Sequence, residues 1–223
     1  MMMLLYKTIR WTVCMAVVFA ATGCSEPPVP PLGILPGVGP ATDDSDLLFS
    51  CPADDSLPAG RLTAEPWSAD SPRAWRYIVI HHSATADGNA ERFDLMHRNR
   101  GWDELGYHFV ITNGRGGMDG QVQVGSRWKT QKWGAHAGGT PNNEYNEYGI
   151  GICLVGDFMD QLPTVAQRAS LERLVLYLMN RYNIPPENVM GHRDVPNAST
   201  QCPGNALHRY IHGPLARVLV SLQ

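Results

Sequence analysis

Apolar positions along the C-terminal part of the chain fall into two rhythms that alternate. Tyr77-Ile78-Val79-Ile80 is a short unbroken apolar run, the pattern of a strand covered on both faces. Residues 90–100 place Phe93 and Met96 three apart among charges, which predicts an amphipathic helix stopped at Gly101. Tyr107 to Thr112 predicts a second strand. After Asn113-Gly114 and a glycine-rich turn, Val122 and Val124 alternate as on a partner strand. Ile150 to Val155 predicts a third apolar strand. The strongest helix pattern runs from Thr164 to Tyr182, with Leu171, Leu174, Val175, Leu178 and Tyr182 on one face. Thr164 and Gln167 have capping-box spacing, and Pro185-Pro186 forbids continuation. Val189-Met190 leads into a strand end at Gly191-His192. A last amphipathic segment starts near Asn205, carries Leu207 and Ile211, and should kink or restart at Gly213-Pro214. Strands interleaved with helices predict a single α/β domain with a central mixed β-sheet flanked by helices.

The N-terminal third breaks this pattern. Lys7 and Arg10 precede an apolar or small-residue run from Trp11 to Gly23, and Cys24 follows. Thirteen residues are too few for a membrane-spanning helix, which takes about 20. Residues 1–23 therefore read as a cleavable export signal rather than an anchor. Ala21-Thr22-Gly23-Cys24 resembles a bacterial lipobox, with Ala21 where Leu is usual. That resemblance makes Cys24 the lipidation candidate, and Ser25 resembles the signal for sorting to the outer membrane. Residues 25–40 hold six prolines and three glycines in sixteen residues, a composition that favours extended chain. With the aspartates at 43, 44, 46, 54 and 55, residues 24–72 read as a Pro/Asp-rich linker and 73–223 as the domain. The expected location is the cell envelope, with a membrane touched only through the lipid.

Composition narrows the function. At 43% hydrophobic and 17% charged the chain has a globular balance, and a net charge of -3 leaves no basic surplus for nucleic acid. Five cysteines do not make a disulfide framework. Cys14 leaves with the signal, and Cys24 is the lipidation candidate. Cys51, Cys153 and Cys202 remain, an odd number in an exported protein, so something other than pairing uses at least one.

His81 ends the first strand, and His192 and Cys202 flank the loop 193–201. Zinc accepts imidazole nitrogen and thiolate together, and three protein ligands leave a fourth position open, the mark of a catalytic site. Each residue alone would more often be structural. The surrounding words decide it: Ile-Val-Ile-His-His-Ser-Ala-Thr (78–85), Gly-Trp-Asp-Glu-Leu-Gly-Tyr-His-Phe-Val-Ile (101–111), Gly-Ala-His-Ala (134–137), Asn-Glu-Tyr-Gly-Ile-Gly-Ile-Cys-Leu-Val-Gly-Asp-Phe (146–158), and Gly-His-Arg-Asp with Thr-Gln-Cys-Pro-Gly (191–204). In that order they resemble the type 2 N-acetylmuramoyl-L-alanine amidases, which include phage T7 lysozyme and the peptidoglycan recognition proteins.

The resemblance covers residues 73–212 and implies the following. His81, His192 and Cys202 hold one zinc per chain. Tyr107 matches the tyrosine that assists the attacking water. Thr200, counted back from Cys202, matches a position held by Lys in the phage enzyme and by Thr in many recognition proteins. Nine residues separate His192 from Cys202, against seven in the phage enzyme, so this loop is longer. His108 and His136 line the substrate groove or hydrogen-bond inside the sheet. His82 packs beside a ligand. Cys153 stands where the cytosolic recycling amidases have Glu, and either faces the metal or is a buried strand thiol. The implied reaction is zinc-dependent hydrolysis of the amide between N-acetylmuramic acid and L-alanine, by a monomer acting on peptidoglycan or muropeptide fragments. The rival is a module that binds peptidoglycan without cutting it. Cys202 argues against that rival, because non-catalytic relatives typically lose this ligand.

Overall fold

The structure, a computed structural model, describes residues 67–69, 71 and 73–221. The signal segment, Cys24, Cys51 and most of the linker lie outside the described residues. Among the described residues five strands form one sheet: β1 (Tyr77–His82), β2 (Phe109–Ile111), β3 (Val122–Val124), β4 (Gly149–Leu154) and β5 (Val189–Gly191). Their spatial order is β3-β2-β4-β1-β5, parallel throughout except for the antiparallel edge pair β2–β3. The sheet is mixed and its central strands are buried on both faces, as their continuous apolar runs require.

Alternation along β1 divides the two faces. Ile78 and Ile80 join a core with Phe109, Ile111, Ile150, Ile152 and Leu154 under helix α4 (Val165–Tyr182). Leu171, Leu174, Val175 and Leu178 of α4 are fully buried there, each contributing about 1.5–3 kcal/mol. Thr164 caps α4: its hydroxyl accepts from Gln167 N at 3.0 Å, while Gln167 Oε1 accepts from Thr164 N at 3.2 Å. The Gln167 amide also donates to the carbonyls of Ile111 and Val155, tying the helix to strand ends. Helix α1 (Ala90–Asn99) serves the opposite face, where Phe93 packs with Leu105, Val110, Cys153 and Val155.

Some elements differ from the expected ones. Two four-residue helices, α2 (Ser126–Lys129) and α3 (Glu144–Glu147), come from stretches too short to show a helical period. The C-terminal segment does not restart at Gly213-Pro214. Helix α5 (Asn205–Tyr210) passes through a π-helical turn, Ile211–Leu215, into α6 (Ala216–Ser221), and the wider turn holds Pro214. Trp67 lies within the stretch read as linker yet is only 2% exposed. Its carbonyl accepts from Trp128 Nε1 at 2.8 Å and its ring meets Tyr177 edge-on, so packed structure reaches back before residue 73.

Candidate metal centre

The face of the sheet opposite α4 carries the chemistry. His81 is the last inward-facing residue of β1, and its register partner on β4 is Cys153. The loop from His192 to Cys202 folds back over this end of the sheet. Arg193 laces it: its amide donates to the Cys202 carbonyl at 2.9 Å and its guanidinium reaches Asn205 Oδ1 and the Gln201 carbonyl. Asp194 Oδ2 accepts the Gly191 amide at 2.9 Å, holding the turn that presents His192. Cys202 Sγ accepts from the backbone N–H of His82 at 3.4 Å.

These restraints bring His81, His192 and Cys202 together, with one donor atom from each lying within 4.8 Å of the others. His81 Nδ1 lies 3.6 Å from Cys202 Sγ. A tetrahedral zinc with ordinary Zn–N and Zn–S bonds separates such a pair by about 3.6 Å. The donor set therefore fits zinc in type and in spacing.

The tautomer of His81 fits as well. His136 Nε2 sits 3.1 Å from the Gly149 carbonyl, which can only accept, so that nitrogen carries the proton. Burial holds the His136 pKa well below the ordinary histidine value, so the ring is neutral and its Nδ1 accepts. His81 Nε2, 3.1 Å from that Nδ1, must then donate. That leaves the His81 Nδ1 lone pair facing Cys202, as a metal ligand needs. Room for the His136 ring comes from two glycines: a Cβ at Gly134 or Gly151 would lie 2.3 Å from its Cδ2. Asn146 Oδ1 clamps the loop by accepting from His136 N and Ala137 N at 2.7 and 2.8 Å.

The electrostatics of the three donors suit a cation. Burial, and then the neighbouring histidines, pushes the His81 pKa well below its ordinary value. Burial also lowers that of His192. Burial pushes the Cys202 thiol up to about 12, so only a cation would make it a thiolate at neutral pH. Tyr107 stands beside His81 with ring centroids 5.1 Å apart and packs against the cluster that holds Cys153. Burial, followed by the two cysteines, raises its pKa well above the ordinary tyrosine value, so the phenol keeps its proton and can donate. Thr200 Oγ1 accepts from Cys202 N at 3.1 Å, which leaves the hydroxyl proton free to point elsewhere.

The remaining assignments separate. His108 is fully buried, with Nδ1 accepting from Gly151 N at 2.9 Å and Nε2 3.0 Å from the Lys132 carbonyl. Of the two readings of His108, groove lining and bonding within the sheet, this geometry is the second. His136 is likewise buried, with its Nδ1 3.1 Å from His81 Nε2. Its positioning role depends on Gly134 and Gly151 meeting in space, a signal that spacing along the chain does not carry. Cys153 is a buried free thiol on β4, beside Tyr107 and on the same face as His81.

Residues 71–205 match the family model described as N-acetylmuramoyl-L-alanine amidase. Peptidoglycan recognition protein 1 of Bos taurus is 36% identical over 146 residues, covering 61% of this chain and 70% of that protein. An N-acetylmuramoyl-L-alanine amidase of Sus scrofa is 27% identical over 184 residues, covering 75% of this chain and 28% of that protein. Among solved structures, N-acetylmuramoyl-L-alanine amidase LysC from Clostridium intestinale URNW superposes with a TM-score of 0.53 at 32% identity, covering 67% of this chain and 85% of that one.

Proposed function

The chain belongs to the N-acetylmuramoyl-L-alanine amidase family, and from that premise we propose that it is a zinc-dependent hydrolase of the amide joining N-acetylmuramic acid to L-alanine in peptidoglycan. One observation carries this reading: the convergence of His81 Nδ1, His192 and Cys202 Sγ at one end of the sheet. Among the described residues this group has three members, which leaves a position for water or substrate. The matched recognition proteins make a binding module the alternative, and the presence of a placed Cys202 favours the enzyme.

His81, His192 and Cys202 would hold the ion. Zinc bound by one thiolate and two neutral imidazoles keeps a net charge of +1, which acidifies water and polarises a carbonyl. His136 fixes the His81 ring in the tautomer that can bind. The His82 amide stabilises negative charge on the Cys202 sulfur. Tyr107, protonated and beside His81, would donate a hydrogen bond to the oxygen on which charge develops during attack on the amide. Thr200 offers a second hydroxyl proton from the Cys202 side. It is neutral where the phage enzyme has a lysine, so its contribution is the smaller. His108 keeps the sheet rigid beneath these groups by bonding β4. Export, with Cys24 acylated and the chain between Cys24 and the packed Trp67 as the tether, would bring the domain to its substrate.

The bond itself is the first thing to test. Digested sacculi, analysed by mass spectrometry, should yield free peptides beginning with L-alanine and glycan whose muramic acid lacks its peptide. Products cut within the stem peptide or between sugars would overturn the assignment.

A further inference from the structure

A second group of ligating side chains lies on the outer side of the loop that carries His192 and Cys202. Asp194, on that loop, faces His208 of α5 and His212 of the π-helical turn. His208 Nε2 lies 2.7 Å from Asp194 Oδ1, and His212 Nε2 lies 2.8 Å from Asp194 Oδ2. The three donor atoms all fall within 4.8 Å of one another. The two rings sit side by side with centroids 4.5 Å apart, four residues apart on one helical face. All three side chains are reachable by solvent. Asp194 Oδ2 is held by the Gly191 amide as well, so the carboxylate is fixed before any ligand arrives.

We propose that Asp194, His208 and His212 form a second cation site, for a zinc-class divalent transition ion, distinct from the site at Cys202. Two imidazoles and one carboxylate are the donors such ions accept, and water can complete the shell at an exposed site. The present distances are those of hydrogen bonds, in which each Nε2–H donates to the carboxylate. Donor atoms around one such ion stand about 3.0–3.4 Å apart. The two rings therefore have to withdraw by a few tenths of an ångström, which partly exposed side chains on one helix can do. Once bound, each ring would give its Nε2 lone pair to the ion and keep one proton on Nδ1, so the occupied cluster would carry +1. A cation there would tie the ligand loop to the C-terminal helix through Asp194, two residues beyond His192. It would brace the loop without touching the substrate.

Cobalt(II) titration separates the two sites, because only Cys202 supplies a thiolate. The full chain, stripped of metal, should bind two Co²⁺ per molecule. The sulfur-to-cobalt charge-transfer band should saturate with one of them. His212→Gln keeps a hydrogen-bond donor to Asp194 but removes the imidazole, and His208→Ala removes the other ring. Each variant should bind one Co²⁺ and show the charge-transfer band at full height, which also reports that the fold is intact. Cys202→Ser should lose the band yet still bind one Co²⁺, so failure at either site is read independently. Only one Co²⁺ bound by the unaltered chain, or two bound by His212→Gln and His208→Ala alike, would overturn the second site.

Discussion

Cys202→Ser is expected to shed most of its zinc and to lose about 10³-fold or more in peptidoglycan hydrolysis while keeping its fold. The metal contributes several kcal/mol of transition-state stabilisation, and each 1.36 kcal/mol is about tenfold in rate. The half-buried thiol is pushed up to about 12 by desolvation, so its ionisation and metal binding are one event. A serine hydroxyl is far less acidic than a thiol. It would stay neutral and leave two imidazoles with a weak oxygen. The fold should be indifferent, because Cys202 lies outside the main core and its loop is held by Arg193 and Asp194. The sheet and loops around the metal should still bind the wall, so the variant should sediment with insoluble peptidoglycan. Metal content, hydrolysis and sedimentation together make the check. Loss of wall binding by a folded variant would show that the ion anchors the substrate as well.

Tyr107→Phe should lower turnover by about 10²–10³, the usual cost of removing one donor to a developing oxyanion. The ring is held between His81 and His97, at 5.1 and 5.6 Å between centroids, so Phe keeps the packing and loses only the hydroxyl. Because burial keeps that hydroxyl protonated, the loss is of a donor and not of a base. Zinc content should stay at the level of the unaltered chain. An unchanged rate would reassign Tyr107 to packing around His81 and Cys153.

Much of this could be read along the chain, for physical reasons. Strands buried on both faces must be apolar throughout, and β1 and β4 declare themselves that way. Helix α4 declares itself by its apolar face and its capping box. The sequence predicts a second strand from Tyr107 to Thr112, whereas β2 spans only Phe109–Ile111. The His108 ring bears on its start: it takes the Gly151 amide as a hydrogen-bond partner, and the ladder opens at Phe109, two residues after Tyr107. Helices of four residues leave no period to read. The motifs also proved to be mutual supports. Asn146 clamps the loop of His136, and Arg193 ties His192 to the Cys202 segment. The positioning role of His136 was not legible, because it arises where residues 81, 134, 136, 149 and 151 meet in three dimensions.

The most direct test of zinc-dependent catalysis is metal depletion and return on the unaltered chain, with release of L-alanine-terminated peptide as the readout. Chelated protein should be inactive. About one equivalent of zinc at the thiolate site should restore the rate. Full activity in protein shown to be free of metal would contradict catalysis at His81, His192 and Cys202.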